Sequence, residues 1–358
     1  MLPKIFTLSQ DLIAIKTDPD NRPALNQALD LVASELTDFT VELFERNGAR
    51  SLLAYTGNTR PETFKVILNG HLDVIPGKDW QYKARIDGDN MYGVGSMDMK
   101  SNVACMVEVF KDIAPKLDYP LALQIVTDEE IGGFDGTKLQ IDEGVKADFV
   151  IAGETTQFNI VHQARGILQL KITSRGKTAH GAYPWRGENA LEKLNTFLAL
   201  LFEKMPNPGT EEWKSSINLA KIETPNISFN KIPDVATAWL DVRFVPQDAD
   251  TMLPRIKSLL PADFELEINA NEPYLFVEKD DEYLQKIQQA VKKVLNKESV
   301  CYGAFGSSDA RFYTQVGSKG VEFGPVGGGI GTDDEWVSIQ SLQDFYDILN
   351  SFLVSLDG

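Results

Sequence analysis

Three short apolar runs, each passing into a glycine-containing turn that carries a histidine or carboxylates, constrain this chain most. Residues 64–69, 121–127 and 148–152 have strand length and are apolar almost throughout. Near-continuous apolarity, rather than alternation, marks strands buried on both faces, as in a mostly parallel sheet. An apolar helix predicted over 100–113 supplies the crossover between the first two. In open sheets of this kind, ligands gather beyond the carboxyl ends of the strands. The turns after the strands are therefore where chemistry is expected.

The rest of the chain fits around that sheet. Leu8, Leu12, Ile13 and Ile15, then Leu25, Leu29, Val32 and Leu36, recur at helical spacing. After about Gln163 the pattern changes. Residues 168–173 and 236–243 alternate strictly, so those strands have one solvated face. Helices predicted over about 190–204 and 250–260, with a last strand at 264–268, complete a β-helix-β-β-helix-β order. That is the order of a ferredoxin-like α+β unit. The α/β character returns with a helix at about 281–295 and an apolar end at 345–353. The reading is an α/β domain in two parts, 1–163 and 275–358, interrupted by a smaller inserted domain over 164–274.

Charge narrows the partners. With 52 acidic against 35 basic residues the net charge is −17, which repels phosphate backbones and anionic membranes alike. Neither nucleic acid nor a membrane is expected as a partner; a small molecule or a cation is. The two cysteines, Cys105 and Cys301, cannot build a disulfide framework, and Cys105 reads as a buried thiol. The first residues lack a secretory pattern, and the longest strongly apolar stretch, 197–202, is too short to span a bilayer. A cytoplasmic location is the expectation.

Gly70-His71-Leu72-Asp73 follows the first strand, Asp128-Glu129-Glu130-Ile131-Gly132-Gly133 the second, and Gly153-Glu154 the third. Gly93-Val94-Gly95-Ser96-Met97-Asp98 precedes the first helix. One imidazole among several carboxylates at successive sheet-edge positions fits zinc or a related divalent ion. Two nucleotide motifs fail: Gly93-x-Gly95 has Asp98 in place of its third glycine, and Gly176-Lys177-Thr178 lacks the P-loop glycine, having Lys171 there. Asn226-Ile227-Ser228 is a glycosylation sequon by spelling only.

From near its start to about Leu342 the chain resembles the superfamily of zinc aminoacylases, carboxypeptidases and acetylornithine deacetylase/succinyl-diaminopimelate desuccinylases. The resemblance is carried by 69–76, 93–100, 127–133, Ala179-His180-Gly181-Ala182-Tyr183-Pro184, Asn230-Lys231-Ile232-Pro233 and Ser307-Ser308-Asp309-Ala310-Arg311-Phe312. It implies a zinc-exopeptidase-like catalytic domain with an inserted lid through which two copies form a homodimer. It also implies one or two zinc ions per chain, or cobalt or manganese in their place. His71 would bind the first metal, Asp98 would bridge, Glu154 would complete the first site and Glu130 would bind the second. Asp73 would hold the His71 ring. Glu129 would be the general base, taking a proton from metal-bound water and passing it to the leaving amine. His180 would reach the partner's active site and steady the oxyanion. Asn230 and Arg311 would contact a substrate carboxylate. His162 matches no ligand position and reads as structural.

One position departs from the pattern. The family's last metal-ligand histidine falls, in register, on Gly331, within Gly327-Gly328-Gly329-Ile330-Gly331-Thr332-Asp333-Asp334-Glu335-Trp336. Glycine offers no side-chain donor, so either Asp333 or Asp334 moves in or water fills the gap. The expected function is a metal-dependent hydrolase of N-acyl amino acids or short peptides bearing a free carboxylate. The alternative is a catalytically silent relative that binds a carboxylated small molecule.

Overall fold

The computed structural model describes residues 1–357, and the chain divides into two compact units. One comprises Met1–Gln163 and the chain from Leu275 onward; the other is Ala164–Tyr274.

The first unit is built on a mixed sheet whose centre is parallel. Its middle strands run in the order Leu121–Val126, Phe64–His71, Ala147–Ala152, Lys319–Glu322, each parallel to its neighbour. Both faces are buried, as the apolar runs require. Val66, Leu68, Leu123, Phe149 and Ile151 join a core with the helices Leu2–Ile13, Lys100–Ile113 and Ile339–Val354. Phe64, Ile67, Ala122 and Val150 form a second core with Ile141, Phe312 and Tyr313. The helix Lys100–Ile113 is apolar nearly all round because it is buried nearly all round. Further strands extend the sheet at both sides: Ala49–Tyr55 and Thr40–Arg46, antiparallel, on one; on the other Ile160–Ala164, antiparallel to Lys319–Glu322, with Leu275–Phe276 and Cys301–Ala304 beside it. A small second sheet in this unit orders Gly327–Gly328, Trp336–Ser338, Asn90–Tyr92 and Arg85–Asp87.

The second unit is a four-stranded antiparallel sheet ordered Ser216–Glu223, Val235–Phe244, Gly166–Arg175, Glu265–Glu272. Numbered along the chain, and read from the last strand, that order is 4-1-3-2, with the helices Ala190–Lys204 and Met252–Leu259 as the two connections. It is a ferredoxin-like α+β arrangement. The alternation of Gly166–Arg175 places Leu168, Leu170 and Ile172 in a core with Leu194, Leu198 and Ile256, leaving Gln169 and Lys171 outward. No helix among the described residues is long and apolar enough to cross a membrane.

Candidate metal centre

The parallel strands all point their carboxyl ends at one edge of the first unit, and that edge collects the acids. His71 is the last residue of its strand, and Glu129 and Glu130 form a short turn just after Val126. Glu154 follows Ala152 by two residues, and Asp98 precedes the helix that begins at Lys100.

His71 sits at the centre and is 1% exposed. Its Nδ1 lies 2.9 Å from the Asp73 carbonyl oxygen, which only accepts, so Nδ1 carries the proton. In the neutral ring Nε2 is then a lone pair, and it faces carboxylates: Asp98 Oδ1 at 2.9 Å, Glu154 Oε1 at 3.8 Å and Glu129 Oε2 at 4.0 Å. Donor atoms of His71, Asp98 and Glu154 lie within 4.8 Å of one another. The Asp73 carboxylate, expected to hold the ring, is 3.6 Å from Nδ1. It also accepts the N–H groups of Glu129 (3.2 Å) and Glu130 (2.9 Å), which fixes the turn bearing both glutamates. Asp98 is fixed in the same way by Glu335, whose Oε1 accepts the N–H groups of Met97 (3.0 Å) and Asp98 (3.2 Å).

Charge sets what this arrangement can hold. Burial raises the Glu154 carboxyl well above its usual range and Asp98 adds repulsion; burial also raises Glu129, with Asp309 and Glu154 adding to it against the pull of His71. Burial pushes Glu130 up to about 7. The His71 ring would be pushed down by burial, but Asp73, Asp98 and Glu154 outweigh that and draw it well above its usual value. Crowded buried carboxylates around one imidazole leave the cluster short of positive charge. The donor set of one nitrogen and two or more carboxylate oxygens fits a divalent cation such as zinc.

The remaining expected residues separate into groups. Glu130 lines the same cleft, a space of about 270 Å³, but lies outside the compact donor set. Gly331 is exposed with φ +65°, and a Cβ there would meet only Ile75 Cδ1, at 3.6 Å. Asp333 is ion-paired to Lys78 and Asp334 is exposed, so neither aspartate takes up the missing donor position. Arg311 is 2% exposed, donating from Nη1 to the Ser308 carbonyl (2.9 Å) and from Nη2 to the Gly132 carbonyl (2.7 Å). Both carbonyls belong to loops that frame the cleft, and the guanidinium braces them. His162 is buried, with Nδ1 against the Val277 carbonyl at 2.6 Å. In the second unit, His180 and Asn230 lie on two exposed segments that pair side by side: Gly181 N donates to Asn230 O at 2.7 Å, and His180 Nδ1 accepts from Ala182 N at 3.1 Å.

Two residues of this centre have no part in the sequence reading, Glu335 as the clamp on Asp98 and Glu322 as a further acid lining the cleft. Glu322 carried a usable signal. It ends the fourth parallel strand and runs into Phe323-Gly324, the same apolar-run-to-glycine format that singled out the other turns.

The peptidase family M20/M25/M40 model matches residues 67–355. The chain is 27% identical to succinyl-diaminopimelate desuccinylase of Rickettsia bellii over 97% of this chain and 95% of the relative. It is likewise 27% identical to the enzyme of that name from Hydrogenovibrio crunogenus, over 98% of each. Among solved structures, aminopeptidase PepT from Bacillus cereus superposes with a TM-score of 0.80 at 19% identity, covering 99% of this chain and 98% of that one. The M20 family metallo-carboxypeptidase Sso-CP2 from Sulfolobus solfataricus gives 0.74 at 18% identity, covering 98% of each. A family match over most of the chain, together with a buried imidazole–carboxylate cluster at the sheet edge, leads to one conclusion: the chain belongs to peptidase family M20/M25/M40 and is a hydrolase acting on amides or peptides.

Proposed function

We propose that this protein hydrolyses the amide bond of an N-acyl amino acid or short peptide that bears a free carboxylate, with a divalent metal in the cleft. The observation that carries the reading is the convergence of His71, Asp98 and Glu154, with the Glu129 carboxylate 4.0 Å from His71 Nε2. His71, Asp98 and Glu154 would hold the first ion, and Asp98 with Glu130 a second. Zinc suits the donors, with cobalt or manganese able to replace it. When bound, the metal supplies Lewis acidity toward water and the scissile carbonyl. Glu129 accepts the proton of the attacking water and returns it to the departing amine. Asp73 and Glu335 keep Glu129 and Asp98 in place through backbone N–H groups. We assign the second unit as a lid that pairs with its copy in a homodimer, His180 steadying the oxyanion in the partner's site and Asn230 holding the substrate carboxylate. We place the protein in the cytoplasm, a setting with which two cysteines that form no disulfide accord.

A second reading has one observation in its favour. With Gly331 in place of a donor and Asp333 tied to Lys78, the second metal position is short of a ligand. A silent relative that binds a carboxylated ligand without cleaving it would look the same there. Turnover of a panel of N-acetyl, N-succinyl and dipeptide substrates, with zinc, manganese or cobalt added, separates the two. Any metal-dependent cleavage supports the hydrolase, and none across the panel supports the silent relative.

A further inference from the structure

The cleft carries acids and no cation of its own. Asp98, Glu129, Glu130, Glu154 and Glu322 line it, and no Lys, Arg or His side chain is among the described residues that do. Arg311 already donates to the Ser308 and Gly132 carbonyls. One divalent ion offsets two of the acids, and the others repel a substrate that bears a free carboxylate. Binding such a substrate calls for a cation from outside the cleft.

The turn that carries His180 supplies one. Backbone bonds lock this turn, from Tyr183 N to His180 O (2.8 Å) and from Arg186 N to Tyr183 O (3.0 Å). Its side chains stack in series: the His180 and Tyr183 ring centroids are 5.8 Å apart, and the Arg186 Cζ lies 4.8 Å from the Tyr183 centroid. Arg186 is exposed, and its guanidinium makes no ion pair among the described residues. In the same unit Lys171, Arg175, Lys221 and Arg243 each pair with an acid, and Glu188, two residues on, is taken by Lys193 at 2.9 Å. A guanidinium over an aromatic face is held there while its N–H edge stays open, and that edge is a planar fork matched to a carboxylate. His180 complements it. Its Nδ1 accepts the Ala182 N–H at 3.1 Å, so the neutral ring carries its proton on Nε2. The turn thus offers one N–H donor for an oxyanion and, one ring away, a fork for a carboxylate. An N-acyl amino acid or peptide carries those two groups on either side of its scissile nitrogen.

We infer that Arg186 grips the free carboxylate of the substrate. The inference rests on the reading of the cleft as an amide-cleaving site that the His180 turn of the partner subunit serves. It makes Arg186 the residue that sets a preference for acids over the corresponding amides.

Calorimetry on the manganese-loaded Glu129→Gln protein tests this without turnover. Three ligand pairs differ only in that carboxylate: N-acetyl-alanine, Nα-succinyl-alanine and alanyl-alanine, each against its C-terminal amide. In at least one pair the acid should bind more tightly by on the order of tenfold to a hundredfold, the range for hydrogen bonds to a charged group. Adding Arg186→Met should bring that ratio toward one. Arg186→Lys, which keeps the charge and loses the fork, should keep only part of it, and Tyr183→Leu, which removes the stack, should lower it severalfold. Lys231, which faces His180 across an isolated bridge, serves as the control cation. Equal binding of acid and amide in all three pairs, a ratio that survives Arg186→Met, or one that falls as far in Lys231→Met overturns the assignment and leaves the hydrolase reading intact. No binding by any ligand to protein shown to hold manganese overturns both. Light scattering on the same samples tests the dimer separately: a monomer whose discrimination depends on Arg186 keeps the assignment and removes the partner from it.

Discussion

Gly331 is where a single side chain decides most. Its backbone is left-handed at φ +65°, which glycine adopts freely and a histidine only at a cost of roughly 1–2 kcal/mol. Space is not the obstacle, since the only neighbour of an added Cβ is the end of Ile75. Gly331→His should therefore fold, with a modest loss of stability, and bring a nitrogen donor to the second metal position. Elemental analysis after dialysis should show about one tightly held ion per chain in the parent and a gain in the variant, with faster turnover of whichever panel substrate is cleaved. Unchanged metal content in a folded variant would mean that the loop does not reach the ion. Arg311 supports a prediction of a different kind. A residue that braces the Ser308 and Gly132 carbonyls leaves both unsatisfied when lost, at about 1–3 kcal/mol each. Arg311→Met should lower the stability measured by urea unfolding by several kcal/mol; unchanged stability with a raised KM would favour the substrate-gripping role. Sequence alone made His71, Asp98, Glu129, Glu130 and Glu154 conspicuous, because each stands in a turn after a strand or before a helix. It could not show that Arg311 turns inward, because whether a guanidinium meets a ligand or two carbonyls depends on loops far apart in the chain.

At the scale of elements, what could be read from the sequence follows from burial. The helix at Lys100–Ile113 and the strands at Phe64–His71, Leu121–Val126 and Ala147–Ala152 are buried on all or both sides, so composition alone marks them. The alternating strands Gly166–Arg175 and Val235–Phe244 are marked by their one solvated face. The hairpin Thr40–Arg46/Ala49–Tyr55 is absent from the sequence reading because its first strand is nowhere fully buried and shows little contrast. Its turn was the available signal: Asn47 and Gly48 both have positive φ, the two-residue hairpin loop that Asn-Gly favours. The edge strand Ser216–Glu223, largely exposed, lacks a marking pattern for the same reason. The helix Ala190–Lys204 has its start fixed by Asn189, whose Oδ1 accepts from Leu191 N (3.0 Å) and Glu192 N (3.4 Å). Asn189→Ala should cost about 1 kcal/mol, read as a lower denaturant midpoint at unchanged slope. A loss within error would show that packing on the sheet, not the cap, fixes that helix end.

For the whole molecule, the homodimer proposed through Ala164–Tyr274 would make each active site depend on its neighbour's His180. Light scattering should report a dimer, and a monomer at working concentration would remove both the dimer and that role. A mixing experiment is more pointed. His180→Ala and Glu129→Gln should each be nearly inactive alone, while mixed and re-equilibrated chains should recover roughly a quarter of parent activity. Random pairing gives that fraction because half the dimers are mixed and each holds one intact site. No recovery would place His180 and Glu129 in the same chain's site. The central claim, that this cleft cleaves amides with a metal in place and Glu129 as the base, is tested most directly by turnover of Glu129→Gln against the parent, with metal content measured on the same samples. The variant should keep the parent's metal and fold and lose about 10²–10⁴-fold in kcat. Equal kcat in the two proteins at equal metal content would contradict the claim.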